Sequence, residues 1–377
     1  MQNAHLRWCI RAFMRRSSQR HLGLFWSASA ALAFNVGFSM RPWPSGQAVF
    51  VEAPARLHFG VLDLRGALGR WFGGIGAAAP APTVLVSAHP ADTLEVGGED
   101  ADRAAGFVRG FLAHHGLQGG VRLHVHRTLP THAGLGSGTQ LALAVARAVA
   151  ELYGIATDAP GLVRAVGRAQ RSAIGTWTFA GGGLVLEGGR RPETDGVAPL
   201  LARLPFPPTW RCVVAVPGSS AGVSGTAEEA AFAQLPSPPE RDVERVAHLV
   251  LMALLPSLAD ADLATFGAAL SAIQAITGRW FAPVQGGTFA PGPSEELVSR
   301  MAEWGALGVG QSSWGPAVYG IVDGEDASLR LAALVRTLLA KSGAGNVYEG
   351  PFRTDGARVW RAPAMLELRF ESGPEVW

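Results

Sequence analysis

The chain has 377 residues, of which 48% are hydrophobic and 16% charged, and its formal net charge is +2. A composition this apolar excludes disorder over most of the length, and near-neutrality removes the ground for a nucleic-acid surface. Cys9 and Cys212 are the only cysteines, too few for a disulfide framework or a cysteine-rich metal site.

The length is ample for a large core and suggests two lobes. Lys341 is the only lysine, so an anion site here must be built from arginines, backbone amides or a metal. A cytoplasmic location without membrane partners is the default expectation. The first 46 residues stand apart. Arg7, Arg11, Arg15, Arg16 and Arg20 precede an apolar stretch over 22–38, and no acidic residue comes before Glu52. That order resembles a secretory signal or weak membrane anchor, although the stretch is marginal for a spanning helix. The alternative is an upstream start codon, with translation beginning near Met40. Residues 1–46 are therefore set aside as a mis-assigned or disordered extension.

The elements then follow in chain order. A strand is predicted over 51–59, a glycine-rich turn at 73–76 and a second strand over 83–88. Residues 101–115 have helical spacing, with Ala105, Val108, Phe111 and Leu112 on one face. Over 121–127, Val121, Leu123 and Val125 alternate with Arg122, His124 and His126, the pattern of a half-buried strand. A loop over 128–137 leads into a helix over 138–153 that Gly154 stops. Asp158 is placed to cap a further helix ending near residue 172. Strands are expected over 183–187 and 211–216. Then come helices over 241–255, 262–277 and 294–304, a strand over 317–322 and a helix over 327–340. This is an α+β pattern in two layers. The proline-rich stretch 235–240 divides a lobe over 47–235 from one over 236–377.

The chemistry concentrates at residues 130–140. Gly134, Leu135, Gly136, Ser137, Gly138, Thr139 and Gln140 lie between a predicted strand and a predicted helix. Glycines let the backbone turn sharply and approach a ligand. The first amides of the helix lack intrahelical partners and, with the helix dipole, favour a phosphate. Ser137 and Thr139 add hydroxyls. The spacing fits neither a Walker loop nor the dinucleotide fingerprint. An ordinary glycine turn remains the simpler alternative.

Pro130 with Gly134-Leu135-Gly136-Ser137 resembles the second motif of the GHMP kinase superfamily. Ala53-Pro54-Ala55-Arg56-Leu57-His58-Phe59-Gly60 resembles the first, and Gly308 to Pro316 the third. The resemblance implies a ribosomal protein S5 domain 2-like N-terminal lobe, an α/β C-terminal lobe and a phosphate site between them. Within the superfamily, the chain is similar to the beta-ribofuranosylaminobenzene 5'-phosphate synthases. Arg56 to Gly60 with Asp63, Gly73 to Gly76, Gly136 to Leu141, Arg171 to Thr176, Gln285 to Gly287 and Gln311 to Pro316 carry that likeness. The family implies condensation of phosphoribosyl pyrophosphate with 4-hydroxybenzoate or 4-aminobenzoate. Pyrophosphate and CO2 leave, in tetrahydromethanopterin biosynthesis. Mg²⁺ is expected, an organic cofactor is not, and a homodimer follows by analogy.

On this reading Gly134–Thr139 hold pyrophosphate, and Arg56 or Arg171 pairs with phosphate or the benzoate carboxylate. His58 orients the acceptor or moves a proton. Asp63 is a further catalytic candidate, the residue that could still serve as base on a kinase reading, and Gln140, Ser172, Gly175, Thr176, Gln285, Gln311, Ser312 and Ser313 complete the pocket. Metal ligands are not assigned. A kinase is the alternative, but residues 172–183 contain no Asp or Glu and no lysine lies near a motif. Activating an acceptor hydroxyl without a base forfeits about two to four orders of magnitude. A non-catalytic protein that binds a phosphorylated metabolite is the third reading.

Overall fold

The computed structural model describes residues 46–168, 171–194, 196–218, 222 and 225–364. The expectations for the N-terminal extension lie outside these residues. The chain begins with β1 (Gln47–Asp63) and β2 (Phe72–Ala91), long antiparallel partners. Then come β3 (Glu95–Gly98), α1 (Ala101–His114), β4 (Gly120–Arg127), α2 (Ser137–Tyr153), α3 (Ala159–Ala165) and α4 (Ile174–Gly181). Next are β5 (Leu184–Glu187), β6 (Leu200–Leu204), β7 (Trp210–Pro217), α5 (Gly225–Gln234) and α6 (Glu240–Leu249). A π-helical turn at Val250–Leu254 leads to α7 (Leu255–Ala259), and α8 (Leu263–Gln285) and α9 (Pro293–Glu303) follow. The chain closes with β8 (Gly308–Gln311), β9 (Val318–Asp323), α10 (Glu325–Ser342), β10 (Gly345–Pro351) and β11 (Arg358–Pro363).

Two sheets result. A seven-stranded one runs β11-β1-β2-β4-β3, with β5 on the first half of β2 and β6 beyond it; a four-stranded one runs β10-β7-β9-β8. The α+β expectation holds. Helix α2 is rich in Ala, Leu and Val on every face, so it is a central helix rather than a surface one. It packs on β1 and β2 and is covered by α1, α3 and α4. Gly154 ends it in the left-handed conformation, φ 66°, as the sequence implied.

Several boundaries move. The expected turn at 73–76 is strand: Gly74 pairs with Glu187 and Gly76 with both His58 and Val185. A Cβ on Gly76 would run into the Leu57 carbonyl and the Ile174 side chain, so glycine here admits α4 against the sheet. Asp158 caps α3, its Oδ1 accepting from the Gly161 N–H at 2.8 Å. The helix stops at Ala165, well short of 172, because Gly167 turns at φ 64°. The stretch 235–240 falls between α5 and α6. Sheet membership crosses it both ways, since β7 pairs with β9 and β10 while β11 pairs with β1. No helix among the described residues is long and apolar enough to cross a membrane.

The return of β11 is fastened by one carboxylate. Glu52, on β1 opposite Arg358, is 8% exposed. It accepts from Thr83 Oγ1 at 2.9 Å, Arg358 Nε at 2.9 Å and Arg127 Nη2 at 3.4 Å. Burial alone would raise its pKa, but the hydrogen bonds from Arg358 and Thr83 outweigh that and hold it below the ordinary carboxylate value. Its stabilising charge is present above the unfolded-state pKa and disappears as pH falls through the lowered folded value. Replacing Glu52 by Gln is expected to cost about 2 kcal/mol in urea unfolding at neutral pH. The difference from the parent protein should close at acid pH.

Candidate active site

The phosphate loop leaves β4 and enters α2. Gly134 and Gly136 have φ of 77° and 79°, and a Cβ on Gly134 would strike the Ser312 carbonyl oxygen. Gly136 is the N-cap of α2 and no side chain caps the helix. Its carbonyl takes the N–H of Thr139 and of Gln140, both at 3.0 Å. The amides of Ser137 and Gly138 precede those bonds, at the positive end of the helix dipole.

Three distant segments meet at this loop. Arg56 on β1 donates from its backbone N–H to Leu135 O at 3.0 Å and from Nη1 to Gly134 O at 2.5 Å. Ser312, fully buried in the turn after β8, donates from Oγ to the same Gly134 O at 2.6 Å and accepts the His58 N–H at 2.9 Å. The Ala317 N–H adds a bond to Ala133 O at 3.1 Å. The three sequence motifs are thus one hydrogen-bonded unit.

A cleft opens beside it, lined by Arg56, His58, Arg171, Ser172, Gln285, Gln311 and Ser313 from the predicted set. One part is cationic. Burial lowers the Arg56 pKa to about 10, an effect the nearby Glu228 carboxylate partly offsets, so Arg56 stays charged at neutral pH. Arg171 pairs with Glu228 at 2.6 Å and Glu229 at 3.4 Å. Another part is aromatic: Phe72, Phe232, Phe281 and Phe289 line it, with Trp314 edge-on behind Phe232 and Phe281. The Arg171 guanidinium lies 5.8 Å from the Phe232 ring centroid, which ties the two parts together. His58 is lowered to about 3, by burial first and Arg56 second, and is neutral at working pH.

Other predicted residues brace rather than line. Asp63 does not line the cleft; its Oδ1 takes the N–H of Arg65 at 2.5 Å and of Gly66 at 3.3 Å, closing the turn after β1. Gln140 is fully buried and donates to Gly175 O at 2.9 Å, fixing α4 beneath the loop. Leu135 and Thr176 are also fully buried. Gln311 donates to Gln285 Oε1 at 2.8 Å and accepts the Ala290 N–H at 2.7 Å, shaping the cleft's far rim.

Sequence reasoning missed Arg103 and Arg168. A Cβ on Gly138 would lie 3.1 Å from Arg103 Nη2 and 3.8 Å from Arg168 Nη2, so both guanidiniums converge on the start of α2. No motif spacing reveals them, because α1 and the turn after α3 approach only through the fold. Gln274 was missed as well; it takes the Gln311 N–H at 2.9 Å and donates to Phe59 O at 2.5 Å. Replacing Ser312 by Ala should cost about 1–3 kcal/mol in chemical denaturation, since the buried His58 N–H loses its acceptor. It should also weaken inorganic pyrophosphate binding measured by calorimetry.

Residues 102–182 match the family described as the GHMP kinases N terminal domain. The beta-ribofuranosylphenol 5'-phosphate synthase of Methanothermobacter thermautotrophicus is 34% identical over 298 residues, covering 73% of this chain and 89% of that protein. The synthase of that name from Archaeoglobus fulgidus is 34% identical over 284 residues, covering 72% and 87%. Among solved structures, homoserine kinase from Cytophaga hutchinsonii superposes with a TM-score of 0.66 at 17% identity, covering 85% of this chain and 100% of that one. Mevalonate kinase from L. major, solved with R-mevalonate, gives 0.61 at 17% identity, covering 80% and 95%. The last two establish the GHMP-kinase-like fold alone. With its motifs joined at one loop and these relatives matched over most of their length, the chain belongs to the beta-ribofuranosylphenol (beta-ribofuranosylaminobenzene) 5'-phosphate synthase family of the GHMP kinase superfamily.

Proposed function

We propose that the enzyme transfers the phosphoribosyl group of phosphoribosyl pyrophosphate to the ring carbon bearing the carboxylate of 4-hydroxybenzoate or 4-aminobenzoate, releasing pyrophosphate and CO2. The observation that carries this reading is a single cleft with cationic and aromatic parts, joined through Arg56 to the uncapped end of α2. The relatives' name specifies a ribofuranosylphenol, which is what a hydroxybenzoate gives when ribosyl replaces its carboxylate.

In this mechanism the amides of Ser137 and Gly138, with Arg56, Arg103 and Arg168, take up the charge that develops on pyrophosphate as its bond to C1 of ribose breaks. The arene packs against Phe72, Phe232 and Phe281, and Arg171 holds its carboxylate once Glu228 gives way. The ring attacks the oxocarbenium-like carbon, and loss of CO2 restores aromaticity. His58 receives and returns a proton at the acceptor's 4-substituent. Among the described residues no group of three or more His, Cys, Asp or Glu side chains could hold a metal. Glu228, the carboxylate lining the cleft, would help hold a Mg²⁺ that enters with the pyrophosphate, and the ion would supply charge neutralisation there.

A kinase would need a carboxylate free to deprotonate an alcohol. Glu228, the carboxylate lining the cleft, is paired with Arg171 in this structure, and the relatives matched over most of their length are named as synthases.

The test supplies phosphoribosyl pyrophosphate, Mg²⁺ and carboxyl-labelled 4-hydroxybenzoate or 4-aminobenzoate, and measures labelled CO2 and pyrophosphate together. Equal release of both is expected. ATP consumption with a small alcohol, and no CO2 from either benzoate, would transfer the protein to the kinases. Replacing Arg171 by Gln should raise KM for the benzoate about 10- to 100-fold while leaving KM for phosphoribosyl pyrophosphate within about twofold.

A further inference from the structure

Glu187 closes β5 with a fully buried side chain. Its Oε2 accepts the Gly189 N–H at 2.7 Å, and its Oε1 has no hydrogen-bond partner among the described residues. A buried carboxyl with one unanswered oxygen is costly and calls for a reason. Gly74, its partner across the sheet, supplies one. A Cβ at Gly74 would stand 3.1 Å from Glu187 Oε1, 3.2 Å from Ile174 Cγ1 and 3.4 Å from His58 Nε2. With glycine there, the carboxyl and the imidazole face the same small space. His58 also lines the cleft.

The groups around this space are few. Backbone N–H groups of Gly189 and Ala173 act on the carboxyl, Ile174 contributes hydrocarbon from α4, and His58 is the titratable group on β1. The charge acting on His58 is Arg56, from its own strand. An imidazole held neutral by burial and a neighbouring cation is a poor proton acceptor unless an anion faces it.

We propose that Glu187 is the positioning residue for His58, facing the imidazole across Gly74 and stabilising the imidazolium that forms when His58 takes the acceptor's hydroxyl proton. The proposal rests on the synthase reading of the cleft. As the ring carbon bonds to C1 of ribose, the C1–oxygen bond breaks and pyrophosphate leaves with the electron pair. The hydroxyl proton passes to His58. The carbon–carbon bond to the carboxylate then breaks, CO2 departs, its electron pair restores the aromatic ring, and the proton returns to the product oxygen. Burial places the Glu187 pKa at about 7, against the pull of the two backbone N–H groups, so the carboxylate is present above neutrality and lost below it.

Glu187→Gln preserves size and should lower kcat about 100-fold, with KM for phosphoribosyl pyrophosphate within about twofold. The wild-type fall in kcat/KM as pH drops through about 7 should vanish in the variant. A folded variant with unchanged kcat and an unchanged acid limb overturns the proposal. A structural role alone would lower stability without reshaping the pH profile. An independent readout uses the protein with bound pyrophosphate and ¹⁵N-labelled histidine, titrated over roughly pH 5 to 9 by NMR. The His58 nitrogens should show an inflection near pH 7 in the wild type and none in Glu187→Gln. Should that variant fail to fold, Gly74→Ala, which places a methyl between the two groups, should abolish the same inflection. An inflection without benzoate turnover leaves the pairing standing and sinks the synthase reading, whereas turnover without the inflection sinks the pairing alone.

Discussion

The carbonyl oxygen of Gly134 accepts two hydrogen bonds, from Arg56 Nη1 and Ser312 Oγ, and Ser312 in turn holds the backbone N–H of His58. These residues come from the first strand, the phosphate loop and the turn after β8, so one oxygen fixes the relative position of all three motifs. A buried carbonyl must be satisfied, and here its satisfaction also orients the cleft's buried cation. Loosening this point would move Arg56 against both the loop and the acceptor space.

Around that point the site divides its work by polarity. The helix end of α2 and the arginines converging on it suit a polyanionic leaving group. Phe72, Phe232 and Phe281 suit a planar ring. Arg171, over the Phe232 face and ion-paired with Glu228, stands where the two meet. On the proposed reaction, such an arrangement stabilises the charge separation of ribosyl transfer. Solved neighbours at 17% identity share the fold and carry different chemistry, as expected when function resides in the side chains of a site.

Much of this was legible before any coordinates. Periodicity located α1, β4, α2, α9 and α10 to within a few residues and the start of α8, which runs on to Gln285 rather than ending at 277, and Gly154 and Asp158 cap their helices as their residue types suggest. The motif residues Arg56, His58, Arg171, Gln285, Gln311 and Ser313 do share one cleft. Three kinds of feature were hidden. Gly73–Gly76 reads as a turn because glycine favours turns, whereas the fold uses it to bring β1, α4 and Glu187 close. The short strands β3, β6, β10 and β11 are brief or interrupted by Gly and Pro and carry little period-two signal; tertiary pairing makes them strands. Arg103 and Gln274 lie outside every motif and Arg168 just before the Arg171–Thr176 stretch; their convergence on the site is a property of the fold. Asp63 and Gln140 show the converse error: polar residues inside a motif whose bonds support the backbone.

The most direct test of this arrangement is a crystal structure of the protein with pyrophosphate and 4-hydroxybenzoate bound together. Pyrophosphate on the amides of Ser137 and Gly138 beside Arg56, with the benzoate carboxylate on Arg171 in place of Glu228 and the ring against Phe232 and Phe281, is the result it predicts. Benzoate bound elsewhere, or pyrophosphate oxygens filling the aromatic part of the cleft, would contradict it.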